Sequence, residues 1–184
     1  MAHKENQRIA LTRRLLQEGL LRLLAHEKLE QISVTALCKE AGINRATFYN
    51  HYASPTELLS EMEHHLAEEL EEVVCAPTSY EDYSDRAERY CIKLKENADL
   101  VMVLIAYHAD RDLEDIAMRL TESYRRNRLN LNKTDMDDVT SHLVSSYMYA
   151  GTYGMIIEWL KRGFDKTPRE VADLMLDIVN RNYY

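Results

Sequence analysis

Residues 33–52 read SVTALCKEAGINRATFYNHY, and their spacing predicts two short helices joined by a glycine turn. Ser33 is placed to cap the first helix, on which Val34, Leu37, Cys38 and Ala41 fall along one face. Gly42 stands where the chain must pass through a left-handed conformation, which costs glycine almost nothing. Asn44 caps the second helix, and Ile43 before it is positioned to staple onto Phe48. Phe48 alone is strongly apolar in that helix, leaving Arg45, Thr47, Tyr49, Asn50 and His51 with little to bury. One anchor surrounded by polar and aromatic groups suits a helix that docks by its outer surface, as the second helix of a helix-turn-helix does in a DNA groove. The other reading of the same residues is a capped hairpin inside a bundle, with Tyr49 and Tyr52 packed inward.

The flanking sequence favours the first reading. Ser54-Pro55-Thr56-Glu57 supplies an N-cap, a proline at the first helical position and a capping-box glutamate, so another helix begins directly after Tyr52. Its apolar positions, Leu58, Leu59, Met62, Leu66, Leu70 and Val73, carry it to just before Pro77. Upstream, Leu16, Leu20, Leu23 and Leu24 form one stripe on a helix expected to start near Thr12. A supporting helix, a hairpin and a long exit helix make a DNA-binding head.

The stretch ISVTALCKEAGINRATFYNHYASPTELL, within Leu11 to about His65, resembles the N-terminal domain of the tetracycline-repressor (TetR) family of transcriptional regulators. Ile32, Leu37, Gly42, Ile43, Thr47, Tyr49, His51, Tyr52 and Leu58 sit at that family's spacings. The resemblance covers roughly a third of the chain. It implies a homodimer with a divergent, all-helical C-terminal domain that dimerises and usually binds a small molecule. Two departures stand out: Cys38 replaces the usual alanine, and Pro55 replaces a lysine often found there, which removes one phosphate contact.

Length and composition agree. With 184 residues, only three prolines and five glycines, and no sustained alternating apolar run, the chain is expected to be all-α. The expected organisation is a helix-turn-helix DNA-binding domain over residues 1–60 and a helical effector-binding and dimerisation domain over 61–184. Cys38, Cys75 and Cys91 have no metal-ligand spacing, and an odd number argues against a disulfide framework. With no signal peptide and no membrane-length apolar run, a reduced, cytoplasmic protein is expected. The net charge of -8 is unevenly spread: residues 1–60 hold eight Lys or Arg against six Asp or Glu, and the remainder fifteen against twenty-five. A mildly basic head can approach phosphate while an acidic body is held off the duplex. Ordinary solvated surface charge would give the same tally.

Base reading falls to the start of the second hairpin helix. Arg45 carries the planar fork that matches guanine O6 and N7, and a phosphate contact is its alternative role. The resemblance implies that Ala46, Thr47 and Asn50 face the groove while Tyr49 and His51 touch the DNA backbone. Thr35 on the preceding helix is within reach of a base edge. Ser33 and Thr56, at helix N-termini, are candidates for phosphate or for capping alone. Arg8, Arg13 and Arg14 offer further backbone contacts.

Beyond Pro77, residues 79–96, 98–107, 112–128 and 134–162 read as successive helices, broken at Asn97, at His108-Ala109-Asp110 and across Asn130 to Lys133. The last of these carries two apolar stripes: Val139, Leu143, Tyr147, Ala150, Gly154 and Ile157, and Val144, Met148, Gly151, Met155 and Trp159. Gly163 ends it, and Thr167-Pro168-Arg169-Glu170 opens a final helix with Val171, Leu174, Met175, Ile178 and Val179. A helix apolar on two faces needs two partners. The first stripe, with Leu174 and Ile178, is assigned to a two-fold four-helix bundle with a second copy. Burial of both stripes within one subunit is the alternative. The pattern Tyr147, Gly151, Gly154, Trp159, Leu160, Gly163 also resembles the family's dimerising helix pair.

Two copies would place their reading helices about 34 to 36 Å apart on a near-palindromic double-stranded operator. The helix from Ser54, about 30 Å long, would convert a small tilt at its body end into a displacement of the head. An effector that favours one conformer would release DNA. Tyr90, Met102, Tyr107, Tyr124, Met148 and Tyr153 are candidates to line its cavity, and each is equally readable as core. Glu61-Met62-Glu63-His64 is one half of a di-iron motif with no second copy, and no metalloprotease helix, phosphate loop or nucleophile elbow occurs. The expectation is a non-enzymatic regulator without metal or cofactor. Its rival is a DNA-binding co-regulator whose body answers to a partner protein, and a thermal shift by metabolites or only by that partner separates the two.

Overall fold

The computed structural model describes residues 2–75, 83–107, 113–121 and 137–181, with side chains from residue 7 to residue 180. Tyr124, the breaks expected at 108–110 and 130–133, and the expected helical stretches 79–82, 122–128 and 134–136 lie outside them. Every regular element among the described residues is helical. The chain divides into two units, Met1–His65 and Leu66–Tyr184, with the division falling inside one continuous helix.

The first unit holds α1 (Ala2–Leu24), a 3-10 turn (Leu29–Gln31), α2 (Val34–Ala41), α3 (Arg45–Tyr49) and the start of α4 (Pro55–Cys75). The leucine stripe placed the start of α1 near Thr12, and the helix in fact begins at Ala2. Its early turns carry no core stripe, since residues 7–11 are exposed, so apolar periodicity cannot register them. The core gathers Leu16 and Leu20 from α1, Leu37 from α2, Phe48 from α3 and Leu58 from α4, all fully buried. Helices α1 and α2 meet at Gly19, where an added Cβ would lie 3.1 Å from the Ala41 Cβ and 3.3 Å from the Ala41 backbone. Arg22 Nε donates to Glu40 Oε1 at 2.6 Å beside that contact.

The hairpin is built by its caps. Ser33 Oγ accepts from Ala36 N at 3.1 Å and Asn44 Oδ1 from Ala46 N at 2.8 Å, each satisfying an amide that the helix start leaves open. Gly42 takes φ 67° and ψ 27°, and Ile43 N then donates back to Cys38 O at 2.9 Å, closing α2. Ser54 Oγ accepts from Glu57 N at 3.2 Å, while the Glu57 carboxylate accepts from Ala53 N at 2.5 Å.

The second unit holds the rest of α4 and α5 (Tyr83–Glu96), α6 (Ala98–Ala106), α7 (113–121), α8 (Asp138–Lys161) and α9 (Pro168–Arg181). Helix α5 packs along α9, and Tyr83, Ala87, Tyr90, Cys91, Val171, Ala172 and Met175 are buried. Polar groups set the register of this pair at its exposed edge. Arg169 Nη1 reaches Asp85 at 2.7 Å and Glu88 at 3.1 Å, and Ser84 Oγ donates to Asp173 Oδ1 at 2.6 Å. Exposed pairs of this kind are screened by water and contribute little, so the apolar seam carries most of the association.

Helix α8 begins at Asp138, later than the expected Thr134. Asp137 is its N-cap, accepting from Thr140 N at 3.0 Å with an extended backbone. It ends through two successive left-handed residues, Gly163 (φ 71°) and Phe164 (φ 65°). The Phe164 ring sits edge-on to Trp159 at 5.1 Å, and Trp159 Nε1 donates to Lys166 O at 2.9 Å, which fixes the turn into α9. The capping box of α9 forms, with Glu170 accepting from Thr167 N at 2.8 Å and Thr167 Oγ1 from Glu170 N at 3.2 Å.

Candidate nucleic-acid interface

Helix α3 has one buried residue, Phe48, whose side chain is 0% exposed. Positions 45, 46, 49 and 50 follow the other side of the helix, and Arg45, Ala46, Tyr49 and Asn50 are exposed there, Tyr49 by 52%. Thr47 and His51 are half-buried. Ser33, Thr35 and Thr56 are exposed on their own elements. All nine expected DNA-contacting residues therefore reach the surface of the first unit.

The aromatic groups of this segment are ordered from within. Phe48 meets the Tyr49 ring edge-on at 5.6 Å and the Tyr52 ring at 5.9 Å. Tyr52 is buried, and its Oη donates to Glu61 Oε1 of α4 at 2.9 Å, with Arg13 of α1 3.6 Å from the same carboxylate oxygen. Burial and that hydrogen bond push the Tyr52 phenol up to about 12. Sequence reading took Tyr52 as a family position or, in the alternative, as packed inward, and missed this link, because its partner lies on another helix. Arg13 and Arg14 face carboxylates of their own unit, Arg14 pairing with Glu18 at 2.7 Å, which competes with any role at phosphate. Beneath α3, burial raises the Cys38 thiol, opposed by the nearby Arg45 charge. A protonated, buried thiol is a small apolar filler here.

In the second unit, Val139 (70% exposed), Leu143 and Tyr147 (65% each), Ala150, Gly154, Leu174 and Ile178 stand in solvent, with Ile157 half-buried. On the opposite side of α8, Ser145, Met148, Ile156, Trp159 and Leu160 are buried. Gly151, assigned by spacing to the buried stripe, is exposed. It lines a cavity of about 270 Å³ together with Tyr147, Met148, Thr152, Met155, Met175, Ile178 and Val179. Of the five expected cavity residues that are described, Met148 alone lines this one. Tyr90 is buried, with its phenol pushed well above the usual range by desolvation, and Met102, Tyr107 and Tyr153 are half-buried. The signal for the α8–α9 cavity was a glycine among methionines, Gly151 with Met155 and Met175.

An all-helical chain whose first unit offers a capped, polar-surfaced helix after a glycine turn has the construction of a helix-turn-helix transcription regulator. The profile of "Bacterial regulatory proteins, tetR family" matches residues 16–62, and that of "Transcriptional regulator C-terminal region" matches residues 81–181. The chain belongs to the tetR family, a family of transcriptional regulators and not of enzymes. It is 23% identical over 186 residues to the uncharacterized HTH-type transcriptional regulator YxbF of Bacillus subtilis (strain 168), a match covering 97% of this chain. The chain spans about half the length of that relative, 47%. Among solved structures it is similar to NalD, the secondary repressor of the MexAB-OprM multidrug efflux pump in Pseudomonas aeruginosa (TM-score 0.68, 16% identity, 97% of this chain and 96% of that one). It is also similar to the dihydroxyacetone kinase operon activator DhaS (TM-score 0.58, 19% identity, 93% and 95%). No helix among the described residues is long and apolar enough to cross a membrane.

Proposed function

We propose that this chain is a homodimeric, DNA-binding transcriptional repressor that acts in the cytoplasm and is released from a near-palindromic operator by a small-molecule effector. One observation carries the reading: α3 buries Phe48 alone and sets Arg45 and Tyr49 in solvent. A helix kept for packing would bury its aromatic residues, whereas this one is anchored at a single point and spends its other side chains on a surface partner. Residues 1–60 supply the DNA-binding domain and residues 61–184 the effector-binding and dimerisation domain.

The dimer forms through the α8–α9 face of Val139, Leu143, Tyr147, Ala150, Gly154, Ile157, Leu174 and Ile178. The solvent exposure of these apolar side chains on two neighbouring helices supports a second copy as their cover. The effector acts on the body, and α4, 21 residues running from one unit into the next, transmits its effect. The effector must bind one tilt of α4 better than another, since equal affinity for both shifts nothing.

Fluorescence anisotropy on labelled genomic DNA tests the reading. Affinity is expected to fall steeply with salt as the release of condensed counterions becomes less favourable, and a flat response contradicts phosphate contact. A metabolite that raises the melting temperature of the protein and lowers its DNA affinity identifies the effector. Stabilisation only by a partner protein would contradict the effector half of the proposal.

A further inference from the structure

We infer that Tyr49 is a positioning residue for base reading, its ring presenting the Arg45 guanidinium to the DNA as one stacked pair. This rests on the DNA-binding reading above and adds to it how the arginine is aimed. Arg45 and Tyr49 are four residues apart on α3 and so lie one above the other. The Arg45 Cζ stands 6.0 Å from the centre of the Tyr49 ring, within range of the attraction between a cation and an aromatic face. The ring is itself held from behind. Phe48, fully buried, meets it edge-on at 5.6 Å with the planes 79° apart. A line of contact thus runs from the core of the head through Phe48 and Tyr49 to a guanidinium in solvent.

Three other arginines of the head differ in kind. Arg13, Arg14 and Arg22 each face a carboxylate, of Glu61, Glu18 and Glu40. Among the described residues, Arg45 has no such ion pair and lies over a ring instead. A carboxylate partner would have to be stripped away before the arginine met a base, whereas an aromatic face supports the guanidinium and leaves its five N–H donors free to point outward. An arginine already aimed loses less rotamer freedom when it engages a guanine edge. Tyr49 then contributes to discrimination at one base pair without touching that pair.

The test is equilibrium binding of the full-length protein to its selected operator and to a set in which each half-site base pair is changed in turn. It uses wild type, Arg45→Ala, Tyr49→Phe, Tyr49→Leu and Tyr49→Gln, with far-ultraviolet circular dichroism reporting the fold of each. The two variants that remove the ring from an exposed position keep the test usable should one fail to fold. Arg45→Ala is expected to erase preference at one base pair. Tyr49→Leu and Tyr49→Gln are expected to reduce preference at that same base pair by about two- to five-fold, the usual strength of an exposed cation–ring contact. Tyr49→Phe, which keeps the ring, retains it. The inference is overturned if Tyr49→Phe loses the preference at that base pair as far as the ringless variants do, whereas an even weakening across all sequences would mark only a phenol hydroxyl on phosphate and leave the ring's role standing. It is overturned equally if the ringless variants leave the preference intact, or if Arg45→Ala weakens every sequence alike. Failure of wild type to select any DNA would instead remove the DNA-binding reading itself.

Discussion

Tyr52 Oη donates a 2.9 Å hydrogen bond to Glu61 Oε1, joining the segment after the reading helix to the second turn of α4. Loss of a hydrogen bond of this kind costs about 1 kcal/mol. Tyr52→Phe is therefore expected to lower stability by about that amount, measured by urea denaturation at neutral pH. The pH dependence has a definite sign. The phenol is raised from 10.0 to about 12, so the folded state holds the proton more tightly. The stabilisation is complete below about pH 10 and fades as pH rises towards 12. The gap between wild type and Tyr52→Phe should narrow over that interval, and a constant gap would remove the role given to this hydrogen bond.

Gly19 is a second point of constraint. An alanine or valine would ordinarily improve on glycine in a helix by some tenths of a kcal/mol. Here the new Cβ meets backbone atoms of Ala41 at 3.3 Å, which cannot swing aside as a side-chain tip can. Gly19→Val is expected to destabilise the head by about 1 to 3 kcal/mol, as overpacking does. A rise in melting temperature would show that α1 and α2 can separate freely.

Gly154 offers a cleaner probe of the proposed dimer. An added Cβ there meets nothing within 4 Å inside the protomer. Gly154→Arg should leave helicity and protomer packing unchanged while placing a charge in an apolar interface. Sedimentation is expected to show the mass of one chain where wild type shows two. An unchanged dimeric mass would move the interface elsewhere.

Asp173 predicts behaviour in acid. Its carboxyl is held below its ordinary value of 3.8 by the Ser84 hydroxyl first and by the Arg169 charge next. A depressed carboxylate contributes above its unfolded value and loses that contribution as pH falls through the folded one. Asp173→Asn should therefore melt earlier than wild type at pH 7, with the difference shrinking below about pH 4. A difference that persists unchanged in acid would assign the loss to packing of α9 rather than to charge.

These contacts show why some features could be read from sequence and others not. Ser33, Gly42, Asn44, Ser54 with Glu57, and Thr167 with Glu170 act on amides a few residues away, and each forms the cap or turn that local spacing predicts. The beginning of α1 was missed because residues 7–11 are exposed and carry no apolar stripe. The late start of α8 reflects the Asp137 cap, where the polar stretch before it gave no periodic signal. Contacts between distant residues were out of reach: Arg169 lies 84 residues from Asp85, and only the pairing of α5 with α9 brings them together. The lining of a cavity likewise depends on contacts between distant residues. Whether Tyr90 lines a space or fills one depends on the side chains opposite, and in the fold Tyr90 is buried while the cavity opens beside Gly151.

The account depends on paired copies reading duplex DNA through α3, and sequencing of genomic fragments retained by the purified protein, run beside Arg45→Ala, tests that most directly. The predicted result is enrichment of an inverted repeat whose half-sites lie about one helical turn apart, lost in the variant. Absence of any enriched sequence, or equal enrichment by Arg45→Ala, would contradict it.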